Sequence, residues 1–589
     1  MSAPNRNVLW GQALVDELAR AGVDRVVVSP GSRSTPLVTA VDAHDDLTAV
    51  SVLDERSAAY FALGHARRTG EVTPLICTSG TATANYHPAV IEADEGRVPL
   101  LLLTADRPPE LHDSGANQTV DQEKLYGDAV RWYADLPEPE AEARKLRSLR
   151  TTVARALAEA TGTPSGPVHL NCRFRKPLEP TPVPGDVPTD LDSLAATGRD
   201  DDSPFVRTTA GRPRLDPADR HMLAEALSVG RGLIVAGPAD PPGMDAEAVT
   251  ALAHATGFPI LADPLSGLRF GGHTRVTTVV GGYDGYLDPR VTDDWPDPDV
   301  VVRFGASPTS KRLRHYLARV DARQFVVDPA GGWREAAFRA TDLVVAEPSR
   351  LAARLAESVG GPDAPDWRDR WTTADGIHRD VVGDVTGDGE GGYFEGAILS
   401  DVTDLAPDPA TLVVSNSTPV RDADRYAAPD TASYTVLGNR GASGIDGVVS
   451  TGLGAGSATT DHLTLVVGDL AYYHDSNGLL SVLRCGVDAT VVLVNNDGGG
   501  IFHRLPIESF DPPFTESFKT PHGLDFEPTA DLYGLDYTAV DDRGEFRDAY
   551  AASVGSDGTD VIHVRTDAEA SQRTRERLCE ATVAELTDD

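Results

Sequence analysis

The chain predicts an α/β protein built from three doubly wound, parallel-sheet domains. Two local observations point there: short apolar runs that end at Gly, Pro or Ser/Thr turns, and helical-period segments between those runs. The third is length, because 589 residues are too many for one hydrophobic core.

The first segment begins on an amphipathic helical pattern that is already running at Leu9, and residues 1–10 hold no apolar export core. Strands are expected at 25–29, 48–53, 74–78, 99–104 and 167–171, with helices over 57–68 and 83–92 between them. Residues 177–204, rich in Pro, Asp and Thr and without periodicity, predict a linker. A second α/β segment starts near Arg214, with strands at 232–235, 259–262, 300–304 and 324–327. Residues 363–390 are polar, with a helix expected around 367–380, and the tract 383–392 marks the edge of a third α/β region. In that region the runs HLTLVV (462–467) and ATVVLV (489–494) predict strands flanking a helical stretch at 476–483. The expected domains are 1–182, 205–360 and 380–589.

Composition excludes several function classes. The formal net charge is −37, and only five basic residues are lysine, at positions 124, 145, 176, 311 and 519. Nucleic acid would be repelled. Acidic excess with Arg favoured over Lys is the pattern of proteins that work in molar salt, where self-repulsion is screened within a few ångströms. The longest uninterrupted apolar runs, such as 99–103 and 491–494, fall far short of the roughly 20 residues that span a bilayer. No membrane insertion is expected, and the reading is a cytoplasmic protein. Cys77, Cys172, Cys485 and Cys579 lack metal-type spacing and read as buried thiols.

The chemistry concentrates where two of the runs end. One stops at Gly468-Asp469, the other at Asn495-Asn496-Asp497-Gly498. Parallel strands joined by a helical crossover put both ends on one sheet edge, where open α/β sheets bind ligands. Magnesium takes about six oxygens, commonly one or two from side chains and the rest from water, phosphate or main chain. Asp469 and Asn496 supply two, and the Gly498 carbonyl, in a turn of three glycines, offers a third. Taken alone the pattern also fits an incidental Asp at a strand end.

The 27 positions from Asp469 to Asn496 resemble the diphosphate-binding motif of the thiamine diphosphate enzymes, Gly-Asp-Gly followed by Asn-Asn. Leu470 departs from it, standing where the motif has glycine. The stretch TSGTATANYHPAVIEA (78–93), which contains Gly80, resembles the pyrimidine-binding domain of the same family, and Glu55, in LDERSAAYFALG, holds the position of its proton-sharing carboxylic acid. The resemblance implies pyrimidine-binding, central and diphosphate-binding domains. Desolvation would raise the Glu55 pKa toward sharing a proton with the cofactor ring.

Longer stretches narrow the resemblance: SPGSRSTPL (29–37), LTADRPPEL (103–111), GANQ (115–118), NRGASGIDG (439–447) and NNDGGGIFHRLP (495–506). They are similar to the menaquinone-pathway synthases that join 2-oxoglutarate to isochorismate, with a weaker match around PTSKRL (308–313). That implies thiamine diphosphate with Mg2+, or Mn2+, held by Asp469, Asn496 and Gly498. It places Glu55, Gly80, Ile445, Gly468, Ile501 and Phe502 around the cofactor, with Ile445 propping its two rings in a bent conformation. Arg33, Arg107, Lys311, Arg421 and Arg440 would face substrate carboxylates, where planar guanidinium pairing suits dicarboxylates. Ser32, Asn117, Gln118 and Ser417 would add polar contacts, and Leu505 would help Ile501 and Phe502 wall the site. The implied assembly is a homodimer or homotetramer. Two alternatives remain at this point: another thiamine diphosphate enzyme, such as an acetolactate synthase or a 2-oxo acid decarboxylase, or a nucleotide-binding protein without catalysis.

Overall fold

The computed structural model describes residues 3–386 and 393–588. They form two compact units, one of Met1–Gly211 with Asn439–Thr459 and Asp475–Val487, the other of Arg212–Gly438, Thr460–His474 and Asp488–Asp589. Of the tract 383–392, residues 387–392 lie outside the described residues.

The first unit carries a six-stranded parallel sheet: β1 (Arg25–Val28), β2 (Thr48–Ser51), β3 (Thr73–Cys77), β4 (Leu100–Asp106), β5 (Trp132–Leu136) and β6 (Val168–Arg173), in the order β2-β1-β3-β4-β6-β5. β3, β4 and β6 are buried along their whole length; β3 and β4 read as mainly apolar runs, whereas β6 alternates apolar residues with the buried polar His169, Asn171 and Arg173. The helix Glu55–Thr69 follows β2. Asp54 caps it by accepting the Ser57 N–H at 3.1 Å, and it stops at Gly70 in the left-handed region. It packs closely on the helix Val448–Gly456 of the same unit. The stretch 177–204, expected as a linker, packs back on this unit. Asn5 Nδ2 donates to the Glu179 and Thr181 carbonyls, and Arg150 Nε donates to the carbonyl of the buried Ala195. Its contacts mix main-chain carbonyls, the Asp186 and Asp192 carboxylates and the scattered apolar residues Leu178, Val187, Leu191 and Ala195, a pattern without a hydrophobic period.

The second unit carries two sheets. The central one comprises β7 (Gly232–Ala236), β8 (Ile260–Ala262), β9 (Val279–Val280), β10 (Val300–Phe304), β11 (Arg323–Val327) and β12 (Asp342–Val344), in the order β12-β11-β10-β7-β8-β9. The helix Pro365–Thr386, longer than the expected 367–380, buries Trp367 and Trp371 among Tyr283, Tyr286 and Tyr316. The other sheet comprises β13 (Ala410–Val414), β14 (Tyr434–Leu437), β15 (His462–Gly468), β16 (Ala489–Asn495), β17 (Asp536–Val540) and β18 (Thr559–Arg565), in the order β14-β13-β15-β16-β18-β17.

Every strand pair in the three sheets is parallel, so the doubly wound α/β expectation holds for all three. The first and third sheets share one strand order, 2-1-3-4-6-5 in their own numbering, and reverse direction between their first and third strands. Crevices at such reversals are where doubly wound sheets bind ligands. β15 and β16 are neighbours in register from Leu463↔Ala489 to Gly468↔Val494. Three short helical pieces cross between them, Asp469–His474, Ser476–Leu479 and Leu480–Cys485, rather than one helix. All four cysteines are free, three buried and Cys485 half-buried. Among the described residues no helix is long and apolar enough to cross a membrane.

Candidate active site

In the first unit, the turns after β1, β3 and β4 converge at the sheet's point of reversal. The Arg33 N–H donates to Thr78 Oγ1 at 3.2 Å, tying the 29–37 motif to the 78–93 motif. Gln118 Nε2 donates to the Ser79 carbonyl at 2.9 Å, Arg107 Nε to the Gln118 carbonyl at 3.1 Å, and the Gly80 N–H to Gln122 Oε1 at 3.0 Å. Arg33, Gly80, Arg107 and Gln118 are therefore brought together, with the exposed Ser32 and Asn117 on the same loops. Arg33 is buried, and its pKa is pulled below the usual arginine value by that burial and then by the nearby Arg107 guanidinium, against the pull of Asp106. Two guanidiniums that repel one another make a place for an anion.

Glu55 is half-buried as the first residue of its helix. It lies close enough to Cys77, at the end of β3, to help raise that thiol's pKa, burial being the larger cause. The loop holding Arg440 and Ile445 belongs to the same unit and is pinned by Glu92. That buried carboxylate accepts the N–H groups of Gly441 (2.8 Å), Ala442 (2.7 Å) and Ser443 (3.2 Å) and pairs with Arg67. Ile445 is left exposed.

In the second unit, the ends of β13, β15 and β16 share the sheet edge at its reversal. Ser417 follows β13 with φ +70°, and its carbonyl accepts from Arg421 Nη1 one helical turn on. Asp469 is buried. Its Oδ2 accepts the Gly498 N–H at 2.8 Å and its Oδ1 the Leu470 N–H at 2.7 Å. Burial raises its pKa above the usual carboxylate value, partly offset by those N–H bonds, and a cation would relieve that cost. Asn496 Nδ2 donates to Glu395 Oε1 at 2.7 Å, while Asn496 Oδ1 is buried with no hydrogen-bond partner among the described residues. Gly498 has φ +126°, and a Cβ there would stand 2.1 Å from the Lys519 carbonyl, so the turn requires glycine. Leu470 lies inside the helix Asp469–His474, in backbone that any residue adopts, which is why the departure from glycine is tolerated.

The donor set fits a hard cation. Among the described residues no cluster of three or more His, Cys, Asp or Glu side chains suits a metal, yet Asp469, the orphaned Asn496 Oδ1 and the Gly498 main chain together offer oxygens at one strand edge. Ile501 and Phe502 are half-buried just beyond, Phe502 edge-to-face with Phe518, and Leu505 is exposed. Lys311 is exposed at the start of the helix Lys311–Arg319 after β10.

The sequence reading missed Glu395 and the strap 511–524. Lys519 Nζ donates to the Asn496 carbonyl at 2.6 Å, and the His522 and Gly523 N–H groups donate to Asp497 Oδ1. His522 Nδ1 accepts the Leu524 N–H, so its Nε2 carries the proton and donates to Asp469 Oδ2 at 3.2 Å. The rarity of lysine was the one signal that could have drawn attention to Lys519.

Three family models match the chain: thiamine pyrophosphate enzyme, N-terminal TPP binding domain, over residues 10–125; middle domain of thiamine pyrophosphate, over 198–412; and thiamine pyrophosphate enzyme, C-terminal TPP binding domain, over 421–564. A protein of Halorubrum lacusprofundi named 2-succinyl-5-enolpyruvyl-6-hydroxy-3-cyclohexene-1-carboxylate synthase is 65% identical over 98% of this chain and 98% of its own length. Proteins with the same name from Haloarcula marismortui and Roseiflexus castenholzii are 62% and 46% identical, covering 100% and 98% of this chain and 100% and 99% of their own lengths. With matches this long in all three domains, the chain belongs to the 2-succinyl-5-enolpyruvyl-6-hydroxy-3-cyclohexene-1-carboxylate synthase family of thiamine pyrophosphate enzymes.

Proposed function

We propose that the protein decarboxylates 2-oxoglutarate and joins the remaining four carbons to isochorismate, giving 2-succinyl-5-enolpyruvyl-6-hydroxy-3-cyclohexene-1-carboxylate for menaquinone biosynthesis, with thiamine diphosphate and Mg2+ or Mn2+. The observation that carries the substrate reading is the buried Arg33 beside Arg107, two cations at the strand ends that also hold Gly80. A pair of guanidiniums needs an anion, and both substrates are dicarboxylates.

When bound, the cofactor supplies an electron sink for decarboxylation and carbon–carbon bond formation. Asp469, Asn496 Oδ1 and the Gly498 carbonyl hold the cation that clamps its diphosphate. Gly468 and Gly80 let main chain approach it, and Ile445 props the rings. Glu55 exchanges a proton with the ring nitrogen of the aminopyrimidine. Arg33, Arg107, Lys311, Arg421 and Arg440 pair with carboxylates, Ser32, Asn117, Gln118 and Ser417 orient the substrates, and Ile501, Phe502 and Leu505 exclude water that would protonate the reacting carbon. We further propose a homodimer as the minimum assembly, a cytoplasmic location and adaptation to high salt, the last supported by the charge of −37.

The test is carbon dioxide release from 2-oxoglutarate and from pyruvate, with and without isochorismate. Release from 2-oxoglutarate with product formation only when isochorismate is present supports the reading. Preference for pyruvate would overturn it in favour of another thiamine enzyme.

A further inference from the structure

We propose that Glu395 is a positioning residue for the divalent cation, setting which end of the Asn496 amide is left for the metal. This rests on the reading of Asp469, Asn496 and Gly498 as the metal site. An asparagine amide has nearly the same shape at its oxygen and nitrogen ends, and only its neighbours distinguish them. Here the neighbour is a carboxylate. Glu395 is 4% exposed; its Oε1 accepts from Asn496 Nδ2 at 2.7 Å and from Thr566 Oγ1 at 3.2 Å, and its Oε2 accepts from Arg575 Nη2 at 2.6 Å. Arg575 is itself anchored on Asp422, with Nε donating to Oδ1 at 3.0 Å.

A carboxylate paired with a guanidinium has no proton to donate. Turned the other way, Asn496 would set its oxygen against a carboxylate oxygen with no hydrogen between them. The Nδ2 end is thus committed to Glu395, and the Oδ1 end is left buried and, among the described residues, without a partner. Leaving such an oxygen unsatisfied is costly, because it has given up its water without gaining a donor. A cation that prefers oxygen removes that cost. Asp422, Arg575, Glu395 and Asn496 form a chain in which each charge orients the next, the kind of outer-shell support on which metal affinity depends.

Glu395→Gln inverts this logic at constant shape. The glutamine carbonyl is drawn to Arg575, so its NH2 faces Asn496, which must turn its oxygen away from the cation. Mn2+ binding in the presence of thiamine diphosphate, read from the electron paramagnetic resonance of free Mn2+, should weaken by about 10–100-fold in this variant. Adding Asn496→Asp in the Glu395→Gln background should restore it to within a few-fold of wild type, because the glutamine NH2 then donates to one carboxylate oxygen and leaves the other for the metal. Asn496→Asp alone should bind Mn2+ more weakly than wild type despite its extra charge, since two carboxylates would face each other. That variant carries the test if Glu395→Gln does not fold. Binding by Glu395→Gln within about twofold of wild type, no restoration in the double variant, or tighter binding by Asn496→Asp alone would each overturn the role of Glu395. A wild-type protein that takes up no Mn2+ with thiamine diphosphate would overturn the metal-site reading as well.

Discussion

Gly64 lies in the interior of the helix Glu55–Thr69, where alanine would ordinarily be favoured by about 1 kcal/mol. Its surroundings reverse that preference. A Cβ at Gly64 would stand 1.9 Å from the Thr451 carbonyl oxygen, 2.8 Å from its carbon and 2.9 Å from the Ala455 nitrogen, all main chain of the helix Val448–Gly456. On the facing helix, a Cβ at Gly454 would meet the Phe61 carbonyl oxygen at 1.9 Å. Real Cβ contacts essentially never fall below 3.0 Å, so the helices must separate by about 1 Å along a seam in which residues 57–67 are all buried. Overpacking of this kind costs about 1–3 kcal/mol, and helix main chain cannot rotate aside, so the upper end applies. Less the alanine gain, Gly64→Ala should destabilise by about 2 kcal/mol. Gly376 is the internal control: it lies in the helix Pro365–Thr386 with nothing within 4 Å of the position a Cβ would take, so Gly376→Ala should stabilise by about 1 kcal/mol. Thermal unfolding in molar potassium chloride, followed by circular dichroism, should shift down for the first variant and up for the second. A Gly64→Ala protein that melts at or above the wild type would refute the close-packed seam.

Glu55→Gln should retain cofactor binding by calorimetry and lose about 10²-fold or more in turnover, and near-normal rates would remove Glu55 from proton transfer. Asp475 is fully buried and accepts the Ser450 N–H and the Ser57 hydroxyl; burial, opposed by those bonds, raises its pKa from 3.8 to about 6. Between these values the folded state holds a proton that the unfolded chain has lost, so this group's contribution falls as pH rises through the window, by roughly 3 kcal/mol in all. Asp475→Asn should therefore gain stability relative to wild type as pH rises from about 4 to 6.5 in denaturant titrations, and a difference independent of pH would count against it. With a net charge of −37, the wild type should melt at progressively higher temperature from dilute buffer to molar potassium chloride, and no gain would argue against salt adaptation.

The strands legible in the sequence are mostly those with both faces buried. β3, β4, β10, β15 and β16 each hold a buried run in which apolar residues predominate, and their parallel pairing follows from the helical stretches between them. The edge strands β5, β12 and β17 have partly exposed faces, and β9 is only two residues long; none leaves an apolar run to read. At the candidate site, Asp469, Asn496 and Gly498 were legible because an Asp at one strand end and an Asn-Asn-Asp-Gly turn at the next are local patterns of residues.

The sequence by itself therefore determined the fold class, the cofactor motifs and the arginine-bearing loops, since each is a local pattern of residues. Only the tertiary structure decided that Glu395, 101 positions from Asn496, orients its amide, that Glu92 pins the 441–443 turn, and that His522 and Lys519 close over the Asp469 and Asn496 turns. These are hydrogen bonds between residues far apart in the chain, and nothing in local spacing encodes them. The physical reason lies in the two scales involved: hydrophobic period is written along the chain, whereas the partner of a buried polar group is chosen by whichever elements the sheet brings to its edge.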